Sequence, residues 1–265
     1  MARTETDLVV SIEPPLAWVT VNRPAARNAL SLALWRALAD RVHELGGNGD
    51  VRVIIIRGAG DEAFLSGADI TEFRDLRANA RMSAEYDRNT DATLDAIGAT
   101  PQPVIAMING LCFGGGCSVA LACNLRFAAD HARFAIPAAR LGLAYPFALG
   151  VERLVHVVGP GAAADILLSA RPLNADEALH YGLVNRVVDR DDLETFTRDY
   201  ALRMADNAPL TLAAHKAGIQ EALRAGTDRD AARVEALTTR CFDSHDYQEG
   251  VAAFLAKRKP IFTGR

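Results

Sequence analysis

Two apolar strands, each stopped by glycine, constrain this chain most. Val53-Ile54-Ile55-Ile56 ends at Gly58-Ala59-Gly60, and Pro103-Val104-Ile105-Ala106-Met107-Ile108 leads into Gly114-Gly115-Gly116. Runs with no polar alternation read as buried strands. A polar helical pattern over Ser83–Ile97 comes after the first, and an apolar helical segment after the glycine triplet. Ahead of both, Leu8–Ile12 and Ala17–Val21 flank Pro14-Pro15 and read as a hairpin. Ser31 is placed to cap a helix carrying Leu34, Trp35, Leu38, Val42 and Leu45, which Gly46-Gly47-Asn48-Gly49 ends. Leu125–Ala128 and Ala132–Ile136 are two further short strands. Strand, strand and helix recur in that order, which predicts an α/β fold of stacked ββα units.

Composition changes after Val188. Helical patterns run over Asp192–Ala205, Leu210–Ala225, Asp228–Cys241 and Tyr247–Lys257. The second carries the stripe Leu212, Ile219, Leu223. Ser244 is a cap for the last, ahead of Val251, Phe254 and Leu255. We therefore divide the chain into a core, residues 1–190, and a helical region, 191–265, that packs on the core or on another subunit.

The 265 residues carry a net charge of −4 with no basic stripe, which argues against a nucleic-acid partner. The opening Met1-Ala2-Arg3-Thr4-Glu5-Thr6-Asp7 is polar and acidic, unlike a signal peptide. Gly and Arg break the apolar runs, so no membrane span is expected. Cys112, Cys117, Cys123 and Cys241 form no CxxC and pair with no His at ligand spacing, so no metal site is expected. Three of them lie in one apolar segment as buried thiols, consistent with a reducing, cytoplasmic compartment.

The triplet in Phe113-Gly114-Gly115-Gly116-Cys117-Ser118 permits close approach of a ligand to bare backbone. The N–H groups at the start of a helix have no internal partner and favour negative charge. A phosphate loop needs a Lys after the last glycine, and none is present; GxGxxG does not fit either. Two readings stay open: close helix–strand packing, or an oxyanion hole needing a second N–H donor. Phe64-Leu65-Ser66-Gly67-Ala68-Asp69-Ile70 is the candidate source of that donor, with Asp69 placed to cap the helix that begins there.

Taken with Asn22-Arg23-Pro24-Ala25-Ala26-Arg27-Asn28-Ala29-Leu30, Gly182-Leu183-Val184-Asn185 and Phe254-Leu255-Ala256-Lys257-Arg258-Lys259-Pro260, these segments resemble the crotonase superfamily, the enoyl-CoA hydratase/isomerase family, in order and over nearly the whole chain. The resemblance implies a crotonase-like spiral of ββα units, a C-terminal helical region that forms a homotrimer or hexamer, and acyl-CoA thioesters as substrates. Coenzyme A would enter as part of the substrate, with no other cofactor. By the same resemblance, the amides of Ser66 and Gly115 would form the oxyanion hole, beside Gly114. Ser66, Gly67, Ala68, Asp69 and Ile70 would line the CoA path. Ala25, Ala26 and Arg27 would cover its adenosine end, and Lys257 would reach the CoA of a subunit.

The chain departs from the hydratases at their two glutamates. Ser118 and Ala138 stand in those positions. Ala138 moves no proton, and an unassisted serine is a poor base at neutral pH. Tyr145, in Gly142-Leu143-Ala144-Tyr145-Pro146, is similar in placement to a tyrosine of the superfamily's methylmalonyl-CoA decarboxylases. Neutral residues at 118 and 138 would spare an anionic malonyl-type group from repulsion, and Tyr145 would orient its carboxylate. Three functions stay open: glutamate-independent enolate chemistry, decarboxylation, and acyl-CoA binding without catalysis.

Overall fold

The computed structural model describes residues 6–224 and 226–265. The opening Met1–Glu5 and the expected helix end at Ala225 lie outside the described residues. Two sheets form the frame. The larger has six strands: β1 (Leu8–Glu13), β2 (Leu16–Val21), β3 (Val53–Gly58), β5 (Val104–Ile108), β7 (Leu125–Ala129) and β10 (Arg186–Val188). The smaller has four: β4 (Ala63–Leu65), β6 (Leu111–Phe113), β8 (Arg133–Ala135) and β9 (Leu173–Asn174). β1 and β2 form the expected antiparallel hairpin, and β2, β3, β5, β7 and β10 are parallel. The first unit places both β1 and β2 in the large sheet, and the later pairs β3–β4, β5–β6 and β7–β8 each send the first strand to the large sheet and the second to the small one. The stacked ββα reading is thereby realised as a spiral.

Helix α1 (Leu32–Gly46) starts on Ser31, whose Oγ accepts the Leu34 N–H. Its Leu34, Trp35, Leu38, Val42 and Leu45 are all buried. Burying one such leucine stabilises the fold by about 1.5–3 kcal/mol. α1 packs along α2 (Ala80–Ala99), the helix expected from the polar stretch. α3 (Gly115–Ala122) is apolar on every side and buried from Gly116 to Ala122. α4 (Glu152–Ala164) has no counterpart among the expected helices, because Gly159 and Pro160 break its helical pattern.

The large sheet is covered on both faces, as parallel sheets are. Ile54, Ile56, Val104 and Ala106 face the core shared with α1, α2 and α3. Val53, Ile55, Ile105 and Met107 face the other way, and α5 (Leu193–Ala205) covers them with Leu193 and Ala201. The first helix of the C-terminal region, α5, thus packs on the core, where it shields Trp18 and Phe127. The later helices are α6 (Pro209–Leu223), α7 (Ala231–Phe242) and α8 (His245–Leu255). α6 is tied to α2 by buried Lys216, whose Nζ donates to Ile97 O (3.2 Å) and Gln102 O (2.9 Å). Ser244 caps α8 as expected. The stripes expected in these helices do not face the core. Ile219, Leu223, Val251, Phe254 and Leu255 are all exposed. Among the described residues no helix is long and apolar enough to cross a membrane.

Candidate active site

β4 and β6 are neighbouring parallel strands, with Leu65 opposite Cys112. Ser66-Gly67-Ala68 and Gly114-Gly115 therefore emerge side by side from their carboxyl ends. Gly67 takes φ +110°, and a Cβ there would stand 2.9 Å from Phe113 O. A Cβ on Gly116 would lie 2.2 Å from Leu65 O. Only bare backbone lets the two segments come this close.

The turn is held from outside. Asn28, 1% exposed, donates Nδ2 to Ala59 O (3.0 Å) and Ala63 O (2.7 Å) and accepts the Arg23 N–H at Oδ1 (3.0 Å). Arg23 pairs with Asp69 at 3.1 Å. Asp69 accepts from the backbone and hydroxyl of Thr71, as the capping assignment required. The Thr71 hydroxyl holds the Asp69 carboxyl below its usual range, with the Thr71 amide and Arg23 adding to the effect against the cost of burial.

The expected donor pair needs a correction. The Ser66 N–H is consumed, because it donates to Arg27 O at 3.1 Å. Further along, in the parallel bridge of Leu30 with Ala68, Leu30 N–H donates to Gly67 O and Asp69 N–H to Leu30 O, which leaves Ala68 N–H without an acceptor among the described residues. A Cβ on Gly115 would stand 3.4 Å from Ala68 N, and one on Gly67 would stand 3.3 Å from Gly115 N. Gly115 opens α3, where an N–H has no carbonyl to use. The two neighbouring free donors are therefore Ala68 and Gly115. The approach of segment 27–30 selects them, and no local sequence signal distinguishes Ala68 from Ser66.

Both residues line a cavity of about 160 Å³. Its walls include Trp35, Ser66, Gly67, Ile70, Gly114, Ser118, Ala138 and Tyr145. The structure thus brings together most of the sequence-derived candidates. Ala25 and Arg27 line a separate hollow beside Asp61 and Glu62, and Ala26 O accepts a weak contact from the Ser66 hydroxyl at 3.4 Å. Asp69 lies behind the turn. Lys257 is exposed beyond the end of α8 and outside the cavity.

Ser118 and Tyr145 hydrogen-bond to each other through their hydroxyls, and Tyr145 OH also reaches Gly114 O at 3.4 Å. Burial pushes the Tyr145 phenol well above its ordinary range, so it stays protonated. Neither residue is a base at neutral pH, as the sequence suggested. When Ser118 donates in that bond, the Tyr145 hydroxyl keeps its own proton to offer to a ligand.

The expected neutrality of the pocket is overturned by α2, which the sequence marks only as a polar helix. Tyr86, Asp87, Thr90, Asp91 and Leu94 all face the cavity. Asp87 pairs with Arg77 at 3.0 Å, and Arg77 lies over the rings of Phe73 (5.1 Å) and Tyr86 (5.0 Å). Burial raises the Asp87 carboxyl above its ordinary range, against Arg77. Burial raises Asp91 too, helped by Asp87 and Asp95 and opposed by Arg153. The signal was in the sequence: acids at 87, 91 and 95 run one turn apart beside Tyr86, Thr90 and Leu94. That spacing puts carboxylates on the margin of a buried stripe.

A spiral of ββα units with two free amides at one cavity defines a class of fold and site, and comparison agrees. Residues 12–265 match the family model described as enoyl-CoA hydratase/isomerase. The chain is 36% identical to a crotonyl-CoA hydratase of Syntrophomonas wolfei over 98% of both chains. It is 32% identical to a short-chain-enoyl-CoA hydratase of Clostridium acetobutylicum over 96% of both. Its structure is similar to that of an enoyl-CoA hydratase/carnithine racemase from Magnetospirillum magneticum, with TM-score 0.93, 40% identity, and 98% and 96% of the two chains covered. The chain belongs to the enoyl-CoA hydratase/isomerase family, of the crotonase superfamily.

Proposed function

We propose that this protein acts on an acyl-CoA thioester and stabilises its enolate at the Ala68 and Gly115 amides. The observation that carries the reading is the pair of adjacent, unengaged N–H groups opening on one largely apolar cavity. A thioester oxygen gains negative charge as the enolate forms. Donors fixed in a water-poor site favour that state over the neutral carbonyl. Coenzyme A takes part as the carrier of the substrate.

Ordinary hydration is disfavoured, because Ser118 and Ala138 replace the acids that would handle water's protons. Decarboxylation is disfavoured as well. A malonyl-type carboxylate would share the cavity with Asp87 and Asp91, against one guanidinium, Arg77. At about 4 Å, two like charges repel by roughly 4 kcal/mol at an effective dielectric near 20.

The test is calorimetric binding of a saturated acyl-CoA and of free CoA, followed by mass spectrometry of an acyl-CoA panel. We expect acyl-CoA binding, α-proton exchange in D₂O, and hydration of crotonyl-CoA about 10²–10⁴-fold slower than by a glutamate-bearing relative. No acyl-CoA binding rejects the reading. Binding with no exchange or turnover leaves a binding protein, and CO₂ from methylmalonyl-CoA restores the decarboxylase.

A further inference from the structure

Enolate chemistry needs a group that takes a proton from carbon and returns it. The titratable side chains lining the cavity, among the described residues, are Arg77, Tyr86, Asp87, Asp91 and Tyr145. Four are unsuited to the task. The two phenols are held protonated by burial, Tyr86 being pushed up to about 12. Arg77 is a guanidinium with no acceptor, and Asp87 faces it in an ion pair at 3.0 Å that protonation of the carboxylate would break.

Asp91 is different. It projects from α2 into the same cavity, half-buried, and makes no hydrogen bond or ion pair among the described residues. A second observation points to a ligand here. Tyr86, one helical position before Asp87, is 2% exposed and lines the cavity with its hydroxyl unpartnered. Trp35 Nε1 lies near that hydroxyl, yet neither makes a hydrogen bond of good geometry. Buried polar atoms left unpaired in a native fold call for an explanation. A polar or reacting group of a bound molecule supplies one.

We propose that Asp91 is the proton-transferring carboxylate of this site, taking on α2 the role that Ser118 and Ala138 cannot fill. The proposal rests on the enolate reading above. Its step balances without a co-reactant. The Asp91 carboxylate takes a proton from an acyl carbon conjugated with the thioester, and the C–H electron pair moves into the π system. The thioester oxygen carries the charge at the Ala68 and Gly115 amides. Asp91, now a carboxylic acid, either swaps its proton with solvent and delivers a solvent proton to the same carbon, or passes the proton to the carbon two bonds away. The first outcome is exchange and the second is a double-bond shift. One carboxylate serves both half-steps, so the substrate class is an acyl-CoA with an acidic C–H, such as a 3-enoyl thioester.

The groups facing Asp91 agree with a base that titrates above a solvated aspartate. Asp87 and Asp95 flank it on α2, and Arg153 approaches from α4. Tyr145 lies across the cavity as a neutral phenol. Protonation of Asp91 at low pH should switch the reaction off, so the rate should rise with pH along one acid limb.

The experiment compares wild type, Asp91→Asn and Asp91→Glu. It reads deuterium incorporation into a saturated acyl-CoA in D₂O, isomerisation of 3-hexenoyl-CoA, and calorimetric acyl-CoA binding. Asp91→Asn should bind acyl-CoA within about threefold of wild type and lose about 10²–10⁴-fold in exchange and isomerisation. Asp91→Glu should recover part of that loss with a shifted acid limb, which a purely structural role would not produce. Exchange by Asp91→Asn at the wild-type rate, or a wild-type protein that binds acyl-CoA without exchanging it, overturns the proposal. Failure of wild type to bind acyl-CoA overturns instead the reading on which it stands.

Discussion

The hydroxyls of Ser118 and Tyr145 meet in the cavity wall, one turn into α3 and on the loop after β8. Each satisfies the other away from water. Removing either partner leaves a buried hydroxyl unpaired, which costs about 1–3 kcal/mol. Tyr145→Phe and Ser118→Ala should each lower unfolding stability in urea by that order. The double variant should lose less than the sum, with a coupling of about 0.5–3 kcal/mol. Additive losses would show that the two hydroxyls do not depend on one another.

Gly115→Ala should impair the oxyanion hole. A Cβ there would come within 2.9 Å of Trp35 Cζ2 and 3.4 Å of Ala68 N. The α3 amide must shift to relieve the contact with the ring. Loss of one well-aimed donor costs about 10²–10³-fold in rate. We expect that loss in acyl-CoA α-proton exchange, with circular dichroism unchanged. An undiminished rate would exclude Gly115 as a donor. Ser66→Pro is a poor alternative, because it would break the Ser66–Arg27 bond rather than the hole.

Lys216 should make stability depend on pH in the alkaline range. Burial pushes its ammonium down to about 8 from an ordinary 10.5. Between those values the unfolded chain holds the proton that the folded chain has released, so stability rises with pH. Below about pH 8 both states are protonated and this contribution is flat. Relative to Lys216→Met, the wild type should gain stability from pH 8 to 10 by at most about 1.4 kcal/mol per pH unit. Urea titrations at pH 7, 8, 9 and 10 measure it. Parallel curves would place the Lys216 titration at its ordinary value.

The last helices should assemble the protein into trimers, or hexamers as dimers of trimers. Phe254 and Leu255 of α8 are 83% and 75% exposed, and Ile219 of α6 is 63% exposed. Phe242 and Val251 extend the same apolar surface. Phe242, Val251, Phe254 and Leu255 line one hollow together, and exposed apolar groups gathered in this way mark an interface. Light scattering at micromolar concentration should give three or six chains, and Phe254→Glu with Leu255→Glu should give a smaller species. A monomeric wild type would reject the expectation.

The sequence by itself determined the units of the fold. Glycine-stopped apolar runs define β3 and β5, Ser31 and its leucine stripe define α1, and the motif order identifies the family. Those signals are local: backbone torsion, capping and periodicity act over a few residues. It also determined that the side chains at 118 and 138 are neutral, since no fold makes Ala138 an acid. Tertiary structure decided which amides and which carboxylate face the cavity. Ser66 and Ala68 are two residues apart and look alike as donors. Only the approach of segment 27–30 decides between them: Arg27 O takes the Ser66 N–H, and Leu30, paired with Ala68, takes the Asp69 N–H and leaves that of Ala68 free. Asp91 reads as a solvated charge on a polar helix until α2 packs beside the ends of β4 and β6. The same long-range packing seats α5 on the core, because the face it covers is built from strands up to about 180 residues earlier in the chain.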